Sequence, residues 1–416
     1  MATIRPFAAL RPPGERAAEV AAVPYDVVNR AEARELAAGN PWSFLHVSRP
    51  EIDLADGVDP YSEQVYRKAA ENFEELKREC PLLLEEAPFL YAYRLGAGTH
   101  EQTGIAGCFA LAECDSGTIR KHERTRREKE DDRTRHMLTL RAQTGPVFLT
   151  YRDNAGIEEI LAEAKRKPPL FDFTAPDGVS HTIWRIEPKS ATPLTEKLQR
   201  VPVLYIADGH HRVAAASRAR EQLKAANAKH TGEEEYSFFL AVLFPASQVR
   251  ILPYNRIVRE LGGRSPALFL SALRERVALF ENASPSPERR GEVRIYLEGR
   301  WYGLVLAGPP PHSSGSSSDP STISRLDVSL LQDLVLEPLL GIEDVRTDER
   351  IDFVGGLRGT KELERLVDSG RAVAAFSMFP VSIEDLMRIS DAGGIMPPKS
   401  TWFEPKLRDG LLIHVI

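Results

Sequence analysis

VPVLYIADGHHRVAAA, residues 201–216, joins an apolar run to an alanine-rich one through five polar or flexible positions. The run after Pro202 is β-branched and aromatic, which reads as a buried strand. Residues 210–227 are rich in Ala, Arg and Lys and read as a long helix. Asp208 and Gly209 form the corner between them. Glycine permits a tight turn and close backbone approach to a ligand. The first turn of the helix offers unpaired N–H groups and a partial positive charge, an anion site suited to phosphate. Arg212 adds a planar donor fork. Asp208 can hold Mg²⁺ or take a proton. A helix start built for stability alone needs a cap and little else. Two histidines and an arginine beside a buried strand point to chemistry.

Outward from this corner, SFFLAVLFP (237–245) is a second buried strand and FLYAYRL (89–95) a third. CFALAECDSGTIRKHE (108–123) reads as two strands, with Asp115-Ser116-Gly117 as a hairpin turn. Asn29 with Glu32 makes a capping box and Gly39 a helix stop. Residues 61–80, 131–143, 326–339, 361–369 and 382–390 read as further helices, and 372–379 as a strand. Strands and helices mix along the whole chain, so the class is α+β, a mixed α/β fold. The expected division is an N-terminal α/β region (1–118), a core (119–260), and a C-terminal α/β region (261–416). The last carries a flexible Pro/Gly/Ser-rich loop at 308–322.

The chain has 416 residues and a net charge of −6, so a basic footprint for nucleic acid is absent. FFLAVLF is the longest apolar run and is far too short to span a bilayer. The first twenty residues lack the apolar segment of a signal peptide. Three cysteines with no CxxC pair give neither a disulfide framework nor a zinc motif. A reduced, cytoplasmic protein without membrane or nucleic-acid partners is expected. Nothing in the sequence excludes a homodimer.

Two further clusters carry chemistry. IRKHERTRREKEDDRTRH (119–136) places Lys121, His122, Glu123, Arg124 and Thr125 directly after a strand. Cations for phosphates and an acid for a metal or an attacking hydroxyl suit phosphoryl transfer. Its later part reads as a solvated helix face with charge pairs. In MPPKSTWFEPK (396–406), Lys399, Ser400, Thr401 and Lys406 can bind phosphate or a substrate carboxylate. The plainer alternative is a proline-stiffened segment that packs Trp402 and Phe403 into a core.

Asp208-Gly-His-His-Arg212-Val-Ala-Ala resembles the nucleotide-binding motif of the ParB/sulfiredoxin superfamily. Arg5-Pro-Phe7, Pro24-Tyr-Asp26, Lys121–Thr125 and Met396–Thr401 resemble a family of domains of unknown function within it. The likeness runs from near residue 4 to about residue 410. It implies a ParB/sulfiredoxin-like nucleotide-binding core. Sulfiredoxins carry cysteine where this chain has His210, which argues against sulfinic-acid reduction. ParB proteins carry a helix-turn-helix after the nucleotide site, and no such basic helix follows residue 227.

The free serine kinases have the motif most similar in kind. They imply a small-molecule kinase that moves phosphate from ATP or ADP, with Mg²⁺, to the hydroxyl of a free amino acid such as L-serine. The resemblance assigns Asp208 and His211 to catalysis, Asp208 and His210 to the metal, and Gly209, His210 and Arg212 to the nucleotide. Glu123 is the candidate base. Lys121, His122, Arg124 and Thr125 are further nucleotide contacts, and Lys399, Ser400, Thr401 and Lys406 acceptor contacts. The alternative is a ParB-like switch or adaptor that binds CTP or ATP without turnover. A metal-dependent hydrolase using His122, His210 and His211 is a third reading. Adjacent histidines on a helix splay apart, which disfavours it.

Overall fold

The computed structural model describes residues 2–306 and 321–416. They fall into two units. The first comprises residues up to Lys121, Thr125–Val249 and Pro405–Ile416. The second comprises His122–Arg124 and Arg250–Glu404.

A mixed sheet of nine strands organises the first unit. Its strands are β1 (Ile4–Arg5), β2 (Leu90–Ala97), β3 (His100–Ala110), β4 (Ile119–Arg120), β5 (Val147–Tyr151), β6 (Phe171–Thr174), β7 (Ser180–Ile186), β8 (Leu204–Asp208) and β9 (Phe238–Pro245). Their order is β4-β8-β5-β9-β3-β2-β7-β6, with β1 paired to β3. β8 runs parallel to β4, and β5 parallel to β9. The other pairs are antiparallel. All eight residues of β9 are buried. A strand covered on both faces reads as a continuous apolar run, which is how this one was legible.

Four helices matter for the site: α1 (Arg30–Ala37), α2 (Glu63–Glu79), α3 (Arg127–Leu140) and α4 (His210–Ala226). α1 has the expected capping box. Asn29 accepts from the Glu32 N–H, and Glu32 accepts from the Asn29 N–H. α4 buries Val213, Ala215, Ala216 and Ala219, small residues that let it lie close to its neighbours. α3 packs along it.

The expected hairpin at 115–117 is not formed. β3 ends at Ala110, and residues Leu111–Asp115 make a short helix closed by Gly117 at φ +76°. β4 then pairs parallel to β8. Five residues are too few for helical periodicity to show, so the Asp-Ser-Gly turn chemistry dominated the reading. The three cysteines are free, as expected.

The second unit holds a six-stranded antiparallel sheet. Its strands are β10 (Tyr254–Val258), β11 (Ala278–Glu281), β12 (Glu292–Leu297), β13 (Arg300–Val305), β14 (Ile351–Gly355) and β15 (Ala374–Met378). They lie in the order β11-β13-β12-β15-β10-β14. Residues Gly359–Asp368 form a helix that covers one face through Leu363. The expected helix at 326–339 spans Asp327 to Leu340, with a wider turn over Gln332–Leu336. Most of the expected loop at 308–322 lies outside the described residues. Ser321 begins a short helix that ends at Ser324. Among the described residues, no helix is long and apolar enough to cross a membrane.

Candidate functional site

The corner between β8 and α4 is built by three local devices. The β8–β5 register shifts between Ile206 and Asp208, a bulge that re-aims the end of the strand. Gly209 then takes φ +92°, a conformation that side chains disfavour, and serves as the N-cap of α4 without any side-chain cap. The 17-residue helix therefore starts on backbone groups alone. Asp208 Oδ1 accepts the Gly209 N–H at 2.8 Å.

The C-terminal segment completes the corner. Lys406 Nζ donates to Asp208 Oδ2 at 2.7 Å. The lysine side chain is only 13% exposed, and the aspartate side chain 40%. Burial pushes the Asp208 carboxyl up, but the Lys406 ammonium outweighs it. His210 and the Gly209 N–H add to the lowering, and the net value falls below the ordinary carboxylate range. Asp208 is thus a carboxylate at neutral pH, with a cation already at one oxygen.

His210 is buried. His211 Nε2 accepts the Arg126 N–H at 3.1 Å, which ties the start of α3 to the first turn of α4. That bond fixes Nε2 as the acceptor, so the proton sits on Nδ1. Arg212 turns behind the corner. Its Nη2 donates to both Asp409 oxygens, at 2.9 and 3.0 Å. Burial lowers the Arg212 guanidinium, and Asp409 more than restores it. Burial raises the Asp409 carboxyl, and Arg212 offsets part of that. The two-oxygen contact favours the charged form of both partners. Gly145 makes the contact fit: a Cβ there would lie 1.7 Å from Arg212 Nη1 and 2.0 Å from Asp409 Oδ1.

Behind Arg212 lies a cavity of about 40 Å³. Tyr25, Ser48, Arg133, His136, Arg212 and Asp409 contribute to its wall. Arg133 Nε donates to Asp132 at 2.8 Å, and Tyr66 donates to the same carboxylate at 2.9 Å. The Arg133 and Arg212 guanidiniums stand 4.2 and 5.5 Å from the Tyr25 ring centre.

Of the other expected residues, Lys121 is exposed and Thr125 donates to Glu130. Both belong to the first unit. His122, Glu123 and Arg124 belong to the second, where the His122 carbonyl accepts the Met396 N–H at 2.8 Å. His122 is buried, Glu123 half-buried and Arg124 exposed. Ser400 closes its own loop by donating to the Pro397 carbonyl at 2.6 Å. Lys399 takes φ +55°, and its carbonyl accepts from the buried Arg256 at 3.2 Å. Thr401 is half-buried. Phe403 is buried as expected, and Trp402 half-buried.

Sequence reasoning missed Arg133, Asp409 and Gly145, and gave Tyr25 no role. Tyr25 lies in the quoted Pro24-Tyr-Asp26 stretch, which was the one available signal. Asp409 stands 197 positions from its partner, and nothing local marks it.

The family model described as a protein of unknown function, DUF1015, matches residues 4–329. The chain belongs to this family. No curated protein matches it. Among solved structures, a free serine kinase in complex with AMP shares 11% identity at a TM-score of 0.36, over 73% of this chain and 91% of that one. A free serine kinase point mutant in complex with ADP shares 12% at 0.34, over 73% and 92%. A conserved hypothetical protein from Pyrococcus furiosus shares 13% at 0.34, over 75% and 95%. Likeness at this level fixes neither the fold nor the activity of this DUF1015 chain.

Proposed function

We propose that this chain is a small-molecule kinase with a ParB/sulfiredoxin-like nucleotide-binding core. It transfers a phosphoryl group from ATP or ADP to the hydroxyl of a free amino acid, with L-serine the first candidate. The observation that carries the proposal is an ionised Asp208, paired with a shielded lysine, at the uncapped N-terminus of α4. The helix start and Lys406 together form a cationic seat for phosphate oxygens. As the acceptor oxygen bonds to phosphorus, the bond to the nucleotide's bridging oxygen breaks. Preorganised positive charge at that point favours the transition state.

Asp208 is poorly suited to be the base. A carboxyl held below its usual range is a weak proton acceptor at neutral pH. An electrostatic role fits it better. A hard cation such as Mg²⁺ prefers oxygen donors, so Asp208 fits as a ligand once Lys406 yields Oδ2, and the His210 imidazole does not. When bound with the nucleotide, the ion would neutralise phosphate charge. The sequence alone nominates Glu123 as base, His211 as a further catalytic residue, Lys121, His122, Arg124 and Thr125 as nucleotide contacts, and Lys399, Ser400, Thr401 and Lys406 as acceptor contacts. Each is a separate proposal, tested by its own alanine variant.

The deciding assay incubates the protein with Mg²⁺, one of ATP, ADP or CTP, and a panel of free amino acids and small alcohols, read by mass spectrometry. Phosphoserine that disappears in Asp208→Asn supports the proposal. Turnover in Asp208→Asn equal to wild type overturns the role of Asp208. Nucleotide binding with no acceptor phosphorylated overturns the kinase assignment.

A further inference from the structure

The cavity behind Arg212 has features that the phosphoryl-transfer proposal does not use. Its volume of about 40 Å³ has room for about three waters, or for one molecule the size of glycine or serine. Ser48 is 1% exposed and lines this space, and its hydroxyl has no hydrogen-bond partner. A buried hydroxyl left unpaired is costly, so it calls for a partner in this space, a water or a guest. Arg133 Nη2 and Arg212 Nε and Nη1 make no hydrogen bond among the described residues, which adds donors. His136 gives its Nε2 proton to the Val47 carbonyl at 2.8 Å, which leaves Nδ1 as an acceptor.

Charge balance selects the guest. Each guanidinium already has a carboxylate, Asp132 for Arg133 and Asp409 for Arg212. A simple anion or a simple cation would leave one uncompensated charge in a buried place, which is strongly disfavoured. A molecule carrying both signs would not. Its carboxylate would meet the spare guanidinium N–H groups, and its ammonium the Asp409 carboxylate and the Ser48 oxygen.

We propose that this cavity is a binding site for a small zwitterionic amino acid, held at its two charged ends by Arg133 with Arg212 and by Asp409 with Ser48. The site lies directly behind the corner. Val147 lines the cavity, and its Cα lies 3.4 Å from where a Gly209 Cβ would stand. The proposal deepens the kinase reading, on which its link to an acceptor rests. The binding itself does not require turnover.

The test is calorimetric titration of the full chain, without nucleotide, using glycine, L-alanine and L-serine. Acetate, ethanolamine and inorganic phosphate serve as single-charge probes in the sense that each carries charge of one sign only. The zwitterions are expected to bind at least ~10-fold tighter than any single-charge probe, a difference of about 1.4 kcal/mol. Ser48→Val, which fills the space, is expected to weaken glycine binding at least ~10-fold, the same free-energy step. Ser48→Ala, which removes the hydroxyl without adding bulk, gives a smaller loss of the same sign and serves if the valine variant does not fold. Acetate or phosphate binding as tightly as glycine overturns the proposal. So does the absence of zwitterion binding, or binding unchanged in both Ser48 variants. ADP titrated separately on the same protein tests the corner, so failure of one site is distinguishable from failure of the other.

Discussion

Two ion pairs join the corner between β8 and α4 to the same short C-terminal segment, with opposite polarity. In front, the corner supplies the acid, Asp208, and the segment the cation, Lys406. Behind, the corner supplies the cation, Arg212, and the segment the acid, Asp409. The Asp208 side chain is 40% exposed and the Asp409 side chain 3%. The rear pair is therefore a lock, since removing either partner strands a buried charge. Water screens the front pair, and its partner can be exchanged for a ligand. Similar chemistry at different exposure separates a structural contact from one available for function.

The largest expected effect breaks the lock. Asp409→Ala should cost about 3–5 kcal/mol of unfolding free energy. Urea denaturation measures it, and a loss below about 1 kcal/mol would put the two pairs in one class. Next comes Gly145→Ala, which leaves both charges in place and only denies them room. Overpacking of this kind costs about 1–3 kcal/mol. Combined with Asp409→Ala, it should add much less than it does alone, because the contact it disturbs is already gone.

A third expectation uses pH. His136, behind the corner, is pushed down to about 4, by burial first and by Arg133 second. A histidine lowered in the fold supports stability fully above its unfolded value of about 6.5. That support is lost as pH falls through the folded value. The urea midpoint should fall progressively from pH 6.5 towards 4, and the slope should flatten in His136→Gln. Asp208 behaves differently. Its carboxyl is held low, so its contribution is intact above about pH 4 and lost only as pH falls towards about 2. Between pH 7 and 5 the stability profile of Asp208→Asn should parallel that of wild type. The smallest stability change belongs to that same substitution. Because the Asp208 side chain is 40% exposed and the substitution keeps its shape, the loss should stay within about 1 kcal/mol. A large loss of stability there would make the front pair a second lock.

The corner was legible because its signals are local. A proline, an apolar run, an acid and a glycine lie within nine residues, and the helix that follows is long. The class and most helices were readable for the same reason: periodicity over ten or more residues leaves a clear pattern. The helix at 111–115 was not, being too short to show one, and the helices Ala155–Ala164 and Pro188–Gln199 went unread although they span ten and twelve residues. Lys406 was suspected from its side chain, but its partner could not be named. Asp409, Arg133 and Gly145 were invisible for a different reason. Each matters through a residue far away in sequence or through a space that a side chain would fill, and one-dimensional patterns record neither.

The segment that supplies Lys406 and Asp409 follows the whole of residues 250–404 in the chain, yet belongs to the first unit. It also contributes a strand, His414–Val415, paired with Ala142–Gln143, and bridges to Leu10 and Ala22. On the ribosome, the sheet and α4 emerge long before their closing residues are made. Until then the Arg212 guanidinium lacks its Asp409 partner, and the edge at 142–143 has no strand beside it. Closing so long a loop is slow relative to local contacts. The first unit can therefore complete its packing only after residues 405–416 have been synthesised.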